Sequence, residues 1–394
     1  MRIILFTGKG GVGKTTAAAG TAMLAAARGS RTLVLSTDGA HSLGDAFGAT
    51  IGPLPTEVIS GLFVQHVDAQ RRFERSWQEI QRYLASVLDT VGVDPITAEE
   101  LTVIPGAEEV MALLEVREHT TSGRWDTIVV DCAPTAETLR LLALPEALGW
   151  YMERVFPAER RIVRALKPIL TRAAGVPMPE DSVFDAFERL HRDLEEVHEI
   201  LTGKQASVRL VLTPEAVVVA EARRLLTTLC LFGYRVDGVV ANRVFPASGA
   251  DEWRRLWVDA QARIMGEVEQ SFPDLPIWRS SYRASEPVGP DELTSFAQET
   301  YGDDDPLAVP VTEDPLRVTR SPNGAATLRI ALPFVDGNDV DLARHGDELV
   351  VTVGSYRRLL ALPAALRRRR VAAARVEQGM LKVRFEPDET SADD

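Results

Sequence analysis

The sequence predicts an α/β protein with a mostly parallel sheet, followed by a small all-β sandwich. Three observations carry that expectation. Over about the first 300 residues, short aliphatic runs alternate with longer helical patterns, the order of a parallel sheet with crossover helices. Near residue 302 the composition shifts to acids and prolines, "GDDDPLAVPVTEDP", which is linker chemistry. Beyond it, short segments separated by turn residues recur at even spacing, as in antiparallel sandwiches.

Taken in order, "RIILFT" is apolar on both faces and predicts a buried strand. A glycine-rich turn and an alanine-rich helical stretch follow it. "RTLVLST", "LFVQHV", "DTIVVD", "SVRLVLT" and "RVDGVVANR" read as further strands of the same kind. Two intervening stretches, about 69–122 and 145–203, are longer than a crossover needs. Both predict helical insertions forming a layer beyond the sheet. The first domain is placed at 1–302 and the linker at 303–315. "LRVTRS", "ATLRIALP", "ELVVTV", "YRRLLALP", "VAAARVEQG" and "MLKVRFEP" place the sandwich at 316–387. An acidic tail at 388–394 is expected to be disordered.

At 394 residues the chain exceeds one ordinary core, which agrees with two domains. A hydrophobic share of 45% with 26% charged residues is that of a soluble globular protein. The net charge of -13 argues against a general nucleic-acid binder, which needs clustered basic surface. No apolar run reaches the ~20 residues of a membrane span, and no signal-peptide pattern opens the chain. A cytoplasmic location, with membrane contact only indirect, is the expectation. Cys132 and Cys230 are the two cysteines; they form no CxxC pair and no disulfide framework.

Residues 8–15, "GKGGVGKT", fit G-x-x-x-x-G-K-[ST] without a mismatch, between a strand and a helix. Gly8, Gly10, Gly11 and Gly13 let backbone N–H groups wrap around phosphates, and the helix N-terminus adds a favourable dipole. Lys14 is expected on the β- and γ-phosphates of ATP, and Thr15 on Mg²⁺. Val12 and Thr16 complete the loop. Lys9 is not demanded by this motif, although the whole chain has only five lysines.

The run K-G-G-V-G-K-T resembles the deviant P-loop of the MinD/ParA, nitrogenase-iron-protein and ArsA group. The resemblance implies a P-loop ATPase working as a homodimer, with Lys9 reaching the partner's nucleotide. There it would offset charge on the transferring phosphoryl group, as an arginine finger does. "STDGAHSLGDAF" and "DTIVVDCAPTAETLRLLALPE" look like the switch regions of the ArsA and tail-anchored-protein-targeting (Get) ATPases. By that resemblance Asp38 acts on the attacking water or the Mg²⁺ shell, and Asp131 is the Walker-B acid supporting Mg²⁺. An aspartate at such a place can also be a helix cap or turn residue. Three departures alter the switches: Gly39 replaces a proline, and Ala136 and Glu137 replace Gly-His. Cys132 replaces a threonine and reads as a small buried residue. "VVANRV" and "LPIWRSSYRASEPVG" match segments near the base, which implies that Asn242 hydrogen-bonds adenine and that the loop with Pro287 closes over it. An Asn at a strand end is also a routine turn residue.

Three uses of ATP compete. Arsenite transport requires several converging thiolates, and the chain has two cysteines. A partitioning or positioning ATPase of the ParA/MinD kind needs a basic DNA face or a C-terminal amphipathic membrane helix, and the C-terminus is β-rich and acidic. The third use is capture of hydrophobic or transmembrane-helix protein clients by a zinc-free relative of the targeting factors. Ile162, Leu166, Ile169, Leu170 and Ala173 share a helical face, preceded by Trp150, Tyr151, Met152, Val155 and Phe156. That face either packs on the sheet or forms a client groove across two subunits. The C-terminal segment resembles the small heat-shock-protein (α-crystallin) domain, which implies either a peptide-accepting sandwich or a module that stabilises the dimer. Arg367 to Arg370 reads as a solvated loop, and His191 and His198 as surface residues.

Overall fold

The computed structural model describes residues 1–37, 42–67, 107–133, 142–143, 181–309, 314–321 and 325–387. The first domain is built on β1 (Arg2–Thr7), β2 (Thr32–Ser36), β3 (Thr56–Ile59), β4 (Leu62–His66), β5 (Thr127–Asp131), β6 (Ala206–Leu212), β7 (Val236–Val244) and β8 (Ile277–Ser281). They form one sheet in the order β3-β4-β2-β5-β1-β6-β7-β8. All neighbours run parallel except the β3–β4 pair at one edge. β1, β2, β5 and β6 are buried along their whole length, as their continuous aliphatic runs require. Strands β3 and β8 escaped the pattern because they are edge strands with exposed positions. The sequence expectation places the whole β8 segment in the loop over the base, whereas residues 277–281 form an edge strand.

Helices α1 (Lys14–Ala27), α2 (Ser42–Phe47), α3 (Ala107–Thr121), α4 (Asp181–Thr202), α5 (Ala216–Leu231), α6 (Glu252–Ser271) and α7 (Pro290–Tyr301) complete the described part of this domain. α3 and α4 are the described parts of the two expected insertions. They are the ends of the two long stretches, yet Met111, Leu113, Leu194 and Val197 share one core with the strands. These two helices therefore pack on the sheet. The remaining parts of those stretches, including the 160–173 face and its aromatic lead-in, lie outside the described residues.

The second unit is a sandwich of β9 (Leu316–Arg320), β10 (Ala326–Ala331), β11 (Val340–His345), β12 (Glu348–Val353), β13 (Tyr356–Ala361), β14 (Arg369–Glu377) and β15 (Met380–Pro387). Two antiparallel sheets, β14-β15-β10-β9 and β11-β12-β13, face each other across Leu328, Ile330, Leu349, Val351, Val383 and Phe385. The arginine run is largely exposed, as expected, but it is not a loop. Arg367 ends a short helix, α8 (Ala364–Arg367), and Arg369 and Arg370 open β14.

The two units are joined by more than the chain between them. Leu231, at the end of α5, belongs to the sandwich core, and its carbonyl accepts from Arg358. Thr227 donates to the Pro333 carbonyl at 2.6 Å, and the Phe272 and Phe334 rings meet edge to face. The acidic stretch is also tied down at its start. Trp278 donates to Asp304, Arg209 to the Pro306 carbonyl and Arg2 to the Leu307 carbonyl. Arg2 and Arg209 both pair with Asp237 at 2.8 Å in the core. His198 is another correction. It is half-buried against Tyr234, and loss of solvent around the ring, with Arg358 nearby, lowers its pKa to about 4. His191 is also mostly covered, 3.4 Å from Glu195. The pattern hid both because α4 packs more of its circumference than its charged sequence suggests.

Candidate nucleotide site

β1 lies between β5 and β6, where the strand order switches direction, and α/β sheets bind ligands beyond the carboxyl ends of such strands. The chain leaves β1 through Gly8, whose φ of 154° and missing side chain are both needed: a Cβ there would lie 2.1 Å from the Val211 carbonyl oxygen. Gly10 and Gly11 are exposed at the tip, and Val12 is buried as the anchor. Gly13 adopts a left-handed conformation as the N-cap of α1 and supplies no side-chain cap. The first-turn N–H groups of α1 therefore have no side-chain oxygen in front of them, which is how a helix N-terminus receives a phosphate.

The two lysines are placed differently. Lys14 is buried, and its ammonium reaches the Lys9 carbonyl at 3.5 Å. Lys9 is partly exposed, and its ammonium makes no hydrogen bond or ion pair among the described residues.

Thr15, in the first turn of α1, donates to the Asp131 carboxylate at 2.7 Å and lies 3.2 Å from the Ser42 hydroxyl. Asp131 closes β5, in register with Phe6 of β1 and Ser36 of β2, so strand pairing carries it beneath the loop. A hydroxyl beside a carboxylate is a hard oxygen set of the kind that suits Mg²⁺. These residues fit the ion, and Thr15 and Asp131 are the ones that would hold it. Bound there, Mg²⁺ would neutralise charge on the phosphate oxygens. Thr37 ends the segment before Asp38 and donates its N–H to the Asp131 carbonyl. Asp38, with Gly39, Ala136 and Glu137, lies outside the described residues.

A cavity of about 560 Å³ opens beside the loop, lined by Gly13, Thr16, Ser42, Asn242, Tyr282 and Pro287 among others. Asn242 is buried near the end of β7. Its amide donates to the Val12 carbonyl at 2.8 Å, and its oxygen accepts from Ser280 and from the Arg243 N–H. The same amide nitrogen leaves no room for a side chain at Gly13. Its oxygen is thus doubly engaged, and its amide nitrogen makes one hydrogen bond among the described residues. The segment around Pro287 is pinned at both sides. The Gly289 N–H donates to the Ala46 carbonyl of α2, and Arg283 pairs with Glu299 at 2.7 Å. Burial pushes the Glu299 carboxyl up, but hydrogen bonds from Ser281 and Arg283 outweigh it and hold it below its ordinary range.

Ser42, Arg243 and Tyr282 line this site without having been singled out from the sequence. Ser42 lay inside the first switch segment, and Arg243 directly follows Asn242, so adjacency was the available signal. Tyr282 required knowing where β8 ends.

The comparisons agree with the geometry. Residues 1–302 match the family described as anion-transporting ATPase, and residues 323–385 match an HSP20-like domain found in ArsA. A Chlorobaculum tepidum protein named "Putative arsenical pump-driving ATPase" is 37% identical over 93% of this chain and 91% of its own length. An Aquifex aeolicus protein of that name, numbered 1, is 34% identical over 96% and 98%. A Trypanosoma cruzi protein named "ATPase ASNA1 homolog" is 27% identical over 75% and 89%. The chain belongs to the anion-transporting (ArsA-type) ATPase family, with the HSP20-like domain of that family at its C-terminal side.

Proposed function

We propose that this ATPase hydrolyses ATP as a nucleotide-gated homodimer and uses the cycle to bind hydrophobic protein clients. The observation that carries the dimer is the pair of lysines in one loop. Lys14 is turned into its own loop and buried, whereas Lys9 stands partly exposed and its ammonium has no hydrogen bond or ion pair among the described residues. A cation so placed is available to a second subunit's nucleotide, where it offsets the charge of phosphoryl transfer. Asp38 orients the water, Thr15 and Asp131 hold Mg²⁺, and Asn242 with the Pro287 segment reads the base.

Client binding draws support from the likeness to the ASNA1 homolog and from the HSP20-like domain. The names of other relatives point to arsenicals, but the thiols here do not favour them. Both cysteines are buried, and burial raises the Cys230 thiol to about 12, so it offers no thiolate near neutral pH. A labelled apolar helix peptide of about 20 residues, the length of a membrane span, provides the test. The Asp38→Asn variant held in ATP should bind the peptide tightly, and the nucleotide-free protein should not. Equal binding with and without ATP, or none, rejects the client reading.

A further inference from the structure

The outer face of the four-stranded sheet in the sandwich holds more cations than acids. Leu381, Val383 and Phe385 of β15 and Leu328 and Ile330 of β10 fill the core, so the residues alternating with them point the other way. On that side strand pairing sets Arg375 of β14 opposite Lys382 of β15, Lys382 opposite Arg329 of β10, and Arg329 opposite Arg317 of β9. Four positive side chains thus cross the sheet in one line, at about 4.8 Å from strand to strand. Like charges placed opposite each other destabilise a sheet, so the line calls for an anion.

Two acids share this face. Glu377 pairs with Lys382 at 3.0 Å and with Arg375 at 3.1 Å, and Glu386 pairs with Arg384 at 3.0 Å and with Arg370 at 3.4 Å. Both serve the β14–β15 half. In the register neither stands opposite Arg329 or Arg317, and the Arg329 Nε is buried with no hydrogen-bond partner among the described residues. Residues 316–387 have thirteen Arg and Lys against seven Asp and Glu, in a chain of net charge -13. The positive excess is therefore local.

One segment of the chain has the matching chemistry. Residues 388–394, "DETSADD", hold four acids and no cation. They follow Pro387, the last residue of β15, which is an inner strand of this sheet. Seven residues span up to roughly 23 Å, and the five from Pro387 back to Lys382 take about 17 Å of strand. After a turn of about two residues the segment still reaches the row. The other acidic stretch is engaged elsewhere, since Asp304 accepts from Trp278 and Asp314 pairs with Arg235. The outward register positions of β14, β15, β10 and β9 include no aromatic residue, so the face lacks the stacking platform that single-stranded nucleic acid uses.

We infer that residues 388–394 lie back across this face as its intramolecular ligand, and that another acidic polymer binds there only by displacing them. A segment so polar has no core of its own, so its order comes from what it lies on. Exposed ion pairs are individually weak, but tethering supplies an effective concentration in the millimolar range.

Lys382 is the one lysine of the sandwich, and a carbodiimide joins a lysine to a touching carboxylate without a spacer. On the full chain, peptide mapping should find Lys382 joined to a carboxylate of residues 388–394 in the same molecule, beside its link to Glu377. The tail link should fade in about 1 M salt. A fluorescent decaglutamate peptide, followed by anisotropy at low salt, gives the second reading. Neutralising the segment with Asp388→Asn, Glu389→Gln, Asp393→Asn and Asp394→Asn should tighten peptide binding roughly 10-fold. Adding Arg329→Gln and Lys382→Gln should remove that gain, with ATP turnover unchanged throughout. Lys382 joined to Glu377 alone, or equal peptide binding by the wild-type and neutralised chains, overturns the inference. Binding of a single-stranded oligonucleotide or of phosphatidylserine vesicles through Arg329 and Lys382, with no weakening by the acidic segment, assigns the face to an outside polyanion and overturns it as well.

Discussion

Lys9 and Lys14 are five residues apart, yet they differ in burial: Lys14 is buried and Lys9 is partly exposed, and the separate tasks proposed for them rest on that difference. The Thr15–Asp131 bond at 2.7 Å is the second defining contact, because it sets the two oxygens proposed for Mg²⁺ side by side. Thr15→Ala should leave the fold intact and lower Mg²⁺-dependent turnover about 100-fold, since it removes one hard donor. Phosphate release across a Mg²⁺ titration checks this; a normal titration curve would remove Thr15 from the site. The P-loop residues were legible from sequence because the motif is local and each glycine has a separate backbone reason. The engagement of Asn242 with Val12 was not legible. It joins residues 230 positions apart, and only the β7 register brings them together.

At the scale of elements, two polar groups dominate, the buried Asp237 and the half-buried His198. Asp237 on β7 neutralises both Arg2 on β1 and Arg209 on β6 inside the sheet. Asp237→Ala strands two buried guanidinium groups and should cost about 3–5 kcal/mol, read by denaturant unfolding. His198 on α4 faces Tyr234, Arg358 of β13, and the Arg235–Asp314 pair. Its pKa falls from 6.5 unfolded to about 4 folded, so the fold binds the proton less readily than the unfolded chain. The stability from the neutral ring is complete above pH 6.5 and is lost as pH falls toward 4, by up to about 3 kcal/mol. His198→Gln should flatten stability over that window; an unchanged slope would assign the acid sensitivity elsewhere. Most strands were readable because burial on both faces writes continuous aliphatic runs. β3 and β8 were not, because edge strands carry exposed residues. α3 and α4 were legible as helices but not their packing partners, since periodicity tells that a helix has a buried face and not what covers it.

For the whole molecule, the sandwich is anchored to the ATPase domain through Leu231, Thr227 and Phe334, so the two units should unfold in one transition or with closely spaced midpoints. With both cysteines buried, arsenite should leave ATP turnover unchanged, and a several-fold stimulation would restore the metalloid reading. The central claim is that Lys9 acts in trans. Lys9→Ala and Asp38→Asn should each bind ATP and each lack turnover. Mixed in equal amounts, they should regain roughly a quarter of the wild-type rate, because random pairing gives mixed dimers with one complete site. A mixture that stays inactive, although both variants bind ATP and exchange subunits, would contradict the account.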